Sequence, residues 1–153
     1  MSERLTPKWT DTLEEAFGAS GARGREGELF LKKVIEGWGW EVIDNEEDKE
    51  LQISGKDLMI KNPKWASFYS VDVKNNLDDR GSFYVDLSEK GWLFNPKKTS
   101  DRIWHVNPQT GWMCWYGRKE MQEYMKKKYG IKEELIKVTV YDKIPFITRR
   151  KHG

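Results

Sequence analysis

Residues 67–74, Ser-Phe-Tyr-Ser-Val-Asp-Val-Lys, form the clearest β-strand pattern in this sequence. Residues two apart on a strand point to the same face. Val71 and Val73 therefore share one face, and Asp72 and Lys74 share the other. This strand predicts a sheet with an apolar face and a face that carries an acid beside a lysine.

A helical pattern precedes this strand. Apolar residues from about Arg25 to Gly37 recur at spacings of three and four, which predicts an amphipathic helix ended by Gly37 or Gly39. The four glycines between Gly18 and Gly27 predict a mobile or tightly turned loop before it. After the helix we expect a strand over 40–44, a charged loop over 44–50, and a strand or hairpin arm over 51–60.

The second half of the chain alternates in the same way. It predicts a strand over 82–87, a β-hairpin of 102–106 and 112–116 around a five-residue turn, a helix over 118–129 ended by Gly130, a strand over 138–141, and a basic tail over 148–153. Helix, strand run and helix in this order indicate an α+β or α/β domain built around one mixed sheet.

Length and composition limit the class of protein. The 153 residues suit one domain, 1–153, and an aromatic content of 13% argues against disorder. The single cysteine, Cys114, excludes an intrachain disulfide and a four-cysteine zinc site. No apolar stretch approaches the ~20 residues of a membrane span, so we expect no membrane association and an intracellular, cytoplasmic location.

Charge is distributed unevenly along the chain. Residues 1–117 hold 16 basic and 20 acidic residues, a net of −4, whereas residues 118–153 hold 11 and 5, a net of +6. A basic C-terminal third beside an acidic body suits a polyanionic partner. A solvated basic helix and tail would give the same composition.

Two acids and a lysine form a spaced motif. Gly55-Lys56-Asp57 is followed, after fourteen residues, by Asp72-Val73-Lys74. If the strand ending near Asp57 lies beside the strand of Asp72, the two carboxylates converge, and such a pair is stable only with a cation between them. Oxygen ligands favour Mg²⁺ or Mn²⁺, and the Val73 carbonyl offers a further oxygen. Lys74 would position or deprotonate an attacking water, or stabilise charge on a phosphorane.

These residues resemble the motif of the PD-(D/E)xK nuclease superfamily, which includes restriction enzymes and archaeal-type Holliday junction resolvases. The segments 24–29 and 39–43 resemble its glutamate-bearing helix and first strand, so the resemblance covers about residues 21–76. Two departures are Lys56, where proline often precedes the first aspartate, and Asp72, where the resolvases more often have glutamate.

The resemblance implies a restriction-endonuclease-like core, with a central mixed sheet flanked by helices and a catalytic core of about 21–116. By the same resemblance, Glu28 is the helix carboxylate, with Glu26 as the competing choice. Asp57, Asp72 and the Val73 carbonyl would hold Mg²⁺ or Mn²⁺, and Lys74 would be the catalytic lysine. The implied activity is a metal-dependent DNA endonuclease that acts as a homodimer.

Further residues are candidates for contacts with nucleic acid. They are Arg23 and Arg25 before the helix pattern, Asn75 after the motif lysine, Lys126 and Lys127 in the last helix, and Arg149 and Arg150 in the tail. Each is equally compatible with solvated surface. The histidine at 105, inside a predicted strand, is expected to be structural.

The expected substrate is branched DNA, because the chain has no spare domain for reading sequence. A homing or restriction-type endonuclease is the alternative within the class. A non-catalytic nucleic-acid-binding module is the alternative outside it, and the sequence leaves open the choice between DNA and RNA.

Overall fold

Three helices and eight strands follow one another in this computed structural model, which describes residues 13–139 and 144–152. The helices are α1 (Leu13–Gly37), α2 (Lys49–Ile53) and α3 (Arg118–Lys128). The strands are β1 (Glu41–Asp44), β2 (Leu58–Lys61), β3 (Tyr69–Lys74), β4 (Ser82–Asp86), β5 (Arg102–Val106), β6 (Trp112–Gly117), β7 (Leu135–Thr139) and β8 (Thr148–Lys151). No described helix is both long and apolar enough to traverse a lipid bilayer.

Six of the strands form a mixed sheet in the order β1-β2-β3-β5-β6-β8. Neighbouring strands are antiparallel except β3 and β5, which run parallel and place Lys74 opposite His105. Strands β4 and β7 form a separate antiparallel pair. The predicted α+β architecture with a mixed central sheet is confirmed at this level.

Each face of the large sheet is covered by a different layer. On one face, Leu31, Val34 and Ile35 of α1 pack on a core that includes Val71 and Val73 of β3. The other face is covered by α3 and by the β4–β7 pair. The core between this layer and the sheet includes Phe83, Val85, Leu87, Ile103, Cys114, Tyr116, Met121, Met125, Ile136 and Val138. Asp72 and Lys74 alternate with Val71 and Val73, so they point away from α1.

The glycine-rich segment 18–27 is helical, so the prediction of a loop there was wrong. It belongs to α1, which begins at Leu13 and ends at Gly37, the predicted end point. A β-carbon added to Gly27 would lie 2.8 Å from Cβ of Asn75. This glycine therefore lets the helix approach the end of β3 more closely than a larger residue would allow.

The segment 51–60 is a strand only at its end, which corrects a second prediction. Asp48 accepts a hydrogen bond from the Leu51 N–H at 3.1 Å and caps the short helix α2, which also takes up the end of the predicted charged loop. Gly55, at a φ of +75°, then turns the chain, and β2 begins only at Leu58. The acid motif therefore follows a turn instead of lying within a hairpin arm.

The C-terminal residues are part of the sheets, so the prediction of a basic tail was wrong. Strand β8 pairs with β6, with Arg149 opposite Cys114 and Arg150 opposite Met113. Strand β7 pairs with β4 and overlaps the predicted strand 138–141, of which residues 140 and 141 lie outside the described residues. The hairpin β5–β6 and helix α3 lie where they were predicted.

Candidate active site

Asp57 and Asp72 meet where β2 begins beside β3. The two strands are antiparallel neighbours, and the Asp57 N–H donates to the Val71 carbonyl at 2.9 Å. The Asp57 side chain continues this pairing, because its Oδ2 accepts from the Val73 N–H at 2.8 Å. Since the N–H and C=O of a strand residue face the same neighbour, the Val73 carbonyl also lies on the Asp57 side.

Burial makes a negative charge on Asp57 unfavourable. The residue is 8% exposed, and its pKa is raised from the ordinary 3.8 to about 7. The largest cause is burial, and the second is the neighbouring charge of Asp72. The hydrogen bond from the Val73 N–H and the charge of Lys74 act in the opposite direction and are smaller. At neutral pH this carboxylate thus lacks full compensation within the protein, and a proton or a cation would stabilise it.

Asp72, by contrast, lies between two cations. Its Oδ1 is 3.3 Å from Nζ of Lys74, and its Oδ2 is 3.3 Å from Nη2 of Arg118. Gly55 lies near the same oxygen that Arg118 binds, because a β-carbon added at Gly55 would lie 3.0 Å from Asp72 Oδ2. The Lys74 ammonium remains partly exposed and also lies 5.8 Å from the centroid of the Trp92 ring. The structure thus brings the predicted trio of Asp57, Asp72 and Lys74 together.

Arg118 is a site residue that the sequence analysis missed. It is 4% exposed, and burial lowers the pKa of its guanidinium while Asp72 opposes that shift. It shares the buried face of α3 with Met121 and Met125. The signal in the sequence was an arginine at the first position of an i, i+3, i+7 series whose other two members are apolar. This pattern indicates that the arginine is buried, but it does not identify its partner Asp72, which lies 46 residues away.

Glu28 lies on α1 and acts on Asp57 through its charge. It is half-buried, burial raises its pKa, and its charge contributes to the raised pKa of Asp57. Its Oε1 accepts from Nη1 of Arg25 at 3.0 Å. Glu26, the competing choice, is exposed and lines a groove beside Asn75 that includes neither Asp57 nor Asp72.

Arg25 is enclosed by carboxylates. Besides Glu28, it contacts Asp44 at 2.7 Å and Glu46 at 2.9 Å, and its hydrogen bonds hold the pKa of Asp44 below the ordinary value. An arginine already bonded to three acids would have to leave them to bind phosphate. Its placement therefore favours a structural role that fixes α1 to the end of β1.

A groove of about 830 Å³ lies beside the end of β3. Asn75 and Arg23 line it, and the Asn75 side-chain amide donates to the Arg23 carbonyl at 2.8 Å. The amide N–H of Asn75 thus fastens α1 to β3, whereas the Arg23 side chain is exposed.

The remaining predicted basic contacts lie away from the two acids. Lys126 and Lys127 are exposed in the last turn of α3, about 12–14 Å along the helix from Arg118. Arg149 and Arg150 lie on β8, three strands or about 14 Å from β3. Arg149 stacks over Trp112, and Arg150 over Trp38.

His105 belongs to a closed polar cluster next to Lys74. Its ring nitrogens lie 2.7 Å from Asn76 Oδ1 and 2.6 Å from the Tyr116 hydroxyl, and its ring stacks on Phe83 at 3.7 Å. It is fully buried, which lowers its pKa well below the ordinary value. Both ring nitrogens have partners, as expected of a structural histidine.

The residues at the site suit a hard divalent cation. In the described part of the chain, no cluster of three or more His, Cys, Asp or Glu side chains is arranged to hold a metal. The site offers two carboxylates and the Val73 carbonyl, and Mg²⁺ is commonly held by one or two carboxylates with water and phosphate oxygens completing its shell. The under-compensated charge of Asp57 fits such an ion.

Comparisons with protein-family models, with curated proteins and with solved structures each found no match.

Proposed function

We propose that this protein is a metal-dependent DNA endonuclease that hydrolyses phosphodiester bonds with Asp57, Asp72 and Lys74. The observation that carries the proposal is the convergence of two buried acids, separated by fourteen residues in sequence, with the lysine ammonium 3.3 Å from one of them. The raised pKa of Asp57, about 7, supports a site that is completed by a cation.

Asp57 and Asp72 would hold Mg²⁺ or Mn²⁺ together with the Val73 carbonyl. When bound, the ion supplies Lewis-acid chemistry, which activates water and neutralises phosphate charge. The Val73 N–H fixes the orientation of Asp57 through its bond to Oδ2. Glu28, which acts electrostatically on Asp57, would hold a water at the edge of the site.

Lys74 would act on the reacting phosphate. Its ammonium is anchored by Asp72 Oδ1 and remains partly exposed, so it can approach a substrate without leaving its partner. A cation held beside the scissile bond stabilises charge that grows in the transition state. It can also orient the attacking water.

The chain order supports a restriction-endonuclease-like core as part of this proposal. A helix carrying Glu28 is followed by the antiparallel strands β1, β2 and β3, and β5 then lies parallel to β3. Asp57 and Lys74 fall at adjacent ends of β2 and β3, the arrangement that the motif implies.

We further propose branched DNA as the substrate and a homodimer as the active form, since resolution of a junction requires two cuts. Exposed cations at Arg23, Lys126 and Lys127, together with Arg149 and Arg150 on β8, would contact the phosphate backbone. Two alternative functions predict other results. A restriction or homing endonuclease would cleave linear duplex DNA, and a non-catalytic binding module would leave all DNA intact.

The test is a cleavage assay with labelled linear, branched and four-way DNA and with RNA of matched sequence. Cleavage should require Mg²⁺ or Mn²⁺, whereas Ca²⁺ should support binding with little cleavage because its looser coordination positions water poorly. Cleavage that persists in EDTA would exclude the metal mechanism. Metal-dependent binding without cleavage of any substrate would favour the binding module.

A further inference from the structure

Arg118 uses its whole guanidinium group inside the protein. Its Nε donates to the Ser100 carbonyl at 2.9 Å, and its Nη2 donates to Ser100 Oγ at 2.6 Å and to Asp72 Oδ2 at 3.3 Å. Its Nη1 donates to the carbonyls of Trp92 and Leu93. This planar group therefore ties the segment between β4 and β5 to one oxygen of a candidate metal ligand.

The two carboxylate oxygens of Asp72 therefore have different partners. Oδ2 is held by Arg118, and a β-carbon added at Gly55 would lie 3.0 Å from it. Oδ1 lies beside Lys74. The carboxylate is 2% exposed, so its rotation is restricted by packing as well as by the ion pair. Oδ1, beside the partly exposed Lys74 ammonium, is the oxygen that Arg118 leaves for a metal ion.

We propose that Arg118 is a positioning residue that keeps Asp72 a one-oxygen metal ligand and thereby makes the site prefer Mg²⁺ to Ca²⁺. This inference rests on the proposed function in taking Asp72 as a ligand. Mg²⁺ requires a small octahedral shell at about 2.1 Å, which single carboxylate oxygens and water provide. Ca²⁺ accepts six to eight oxygens, often two from one carboxylate, and Arg118 withholds the second oxygen.

The same guanidinium group affects the neighbourhood of Lys74. It binds the Trp92 carbonyl, and the Trp92 ring lies 5.8 Å from the Lys74 ammonium. Lysine could replace the charge of Arg118 but not its planar fork of donors, so Asp72 and Trp92 would both lose their fixed orientation.

The experiment compares Arg118→Lys with Gln122→Ala. Gln122 donates to the Leu93 carbonyl at 2.7 Å, so its removal loosens the same segment without touching Asp72. Binding of MgCl₂ and CaCl₂ to each intact protein is measured by calorimetry without DNA. In Arg118→Lys, Mg²⁺ affinity should fall by about 10- to 100-fold, the usual effect of losing a residue that orients a metal ligand. Ca²⁺ affinity should fall less, whereas Gln122→Ala should keep the original ratio.

Cleavage gives a second readout. At saturating Mg²⁺, the single-turnover rate of Arg118→Lys should fall by about 10-fold or more, while that of Gln122→Ala should not change. If Arg118→Lys does not fold, Ser100→Ala weakens the hold on Arg118 and should shift the ion preference in the same direction by a smaller factor.

The outcomes separate this inference from the proposed function. An unchanged Mg²⁺-to-Ca²⁺ ratio in both Arg118→Lys and Ser100→Ala, with only lower melting temperatures, would overturn the role of Arg118 and leave the nuclease proposal standing. A shifted ratio in a protein that cleaves no DNA would support Arg118 and overturn the nuclease. A wild-type chain that binds neither ion would overturn both.

Discussion

The candidate active site and the His105 cluster are neighbours on the same face of the sheet, and their polar groups are satisfied differently. Both ring nitrogens of His105 have protein partners, Asn76 and Tyr116. Asp57 is nearly as deeply buried, yet its carboxylate receives one backbone N–H and faces a second acid. A buried polar group that is fully paired stabilises a fold, whereas a buried charge without a counterion is suited to a ligand.

The largest expected effect is a loss of DNA cleavage, which we expect from variants of the candidate active site and not from variants of the His105 cluster. Asp57→Asn and Asp72→Asn should each lower DNA cleavage on the order of 10³-fold, because each removes a charged ligand at the centre of the proposed reaction. Asp72→Asn should also lower the melting temperature, since Arg118 would lose its buried counterion. The measurements are single-turnover cleavage in Mg²⁺ and thermal melting.

A matched control is Asp79→Asn, which alters an exposed carboxylate beside the groove at the end of β3. It should cleave DNA at the wild-type rate. Near wild-type cleavage by either site variant would mean that the acid in question is not a metal ligand.

The second effect is a pH dependence of stability in metal-free protein. The folded-state pKa of Asp57, about 7, lies above the ordinary 3.8, so folding favours the protonated form. The stabilisation is fully present below pH 3.8 and is lost as pH rises through about 7, with a change on the order of 4 kcal/mol. Mg²⁺ should restore stability more at pH 8 than at pH 5, because it binds the ionised form.

Melting curves from pH 5 to 8, with and without Mg²⁺, test this dependence. Asp57→Asn should lack the part of the slope that Asp57 contributes and most of the response to Mg²⁺. Equal pH slopes in the two proteins would show that Asp57 is compensated in some other way, and the contrast with His105 would lose its basis.

The third effect concerns Lys74. Lys74→Ala should lower the single-turnover rate by about 10²-fold while changing DNA affinity much less, because the ammonium acts mainly on the transition state. Lys74→Arg should restore little activity, since a planar guanidinium differs from an ammonium in shape and in readiness to release a proton. Cleavage at saturating enzyme and a binding isotherm provide the two measurements.

The control for this variant is Lys64→Ala, an exposed lysine in the turn before β3. A Lys74→Ala protein that binds DNA weakly but cleaves bound DNA at full rate would assign the lysine to affinity instead of chemistry.

Local patterns predicted those parts of the site that depend on a single strand. The alternation in residues 67–74 was sufficient to place Asp72 and Lys74 on one face, and β3 has that form. The position of Asp57 beside them was conditional on β2 pairing with β3. That pairing depends on the tertiary fold, and the turn at Gly55 that delivers Asp57 was mistaken for a strand.

Long-range packing explains the errors and the omission. Gly27 disfavours an isolated helix, but in α1 it allows close contact with Asn75, 48 residues away in sequence. The segment with Arg149 and Arg150 has a tail-like composition, and it becomes a strand because β6 offers an edge. Arg118 was missed because nothing near it in sequence indicates that its guanidinium binds Asp72.

The smallest expected effect tests the closed cluster directly. Tyr116→Phe removes the hydroxyl that lies 2.6 Å from Nε2 of His105, and burial holds the pKa of that hydroxyl well above the ordinary value. The histidine nitrogen would be left buried without a partner, which should cost about 1–3 kcal/mol of stability. The single-turnover cleavage rate should not change.

Tyr84→Phe, at a tyrosine that is 53% exposed, is the matched control and should change neither the stability nor the cleavage rate. Slower cleavage by Tyr116→Phe with an unchanged melting temperature would contradict the comparison, because the chain from Tyr116 through His105 to Asn76 would then act on the neighbouring Lys74. The closed cluster would in that case be part of the active site instead of its structural support.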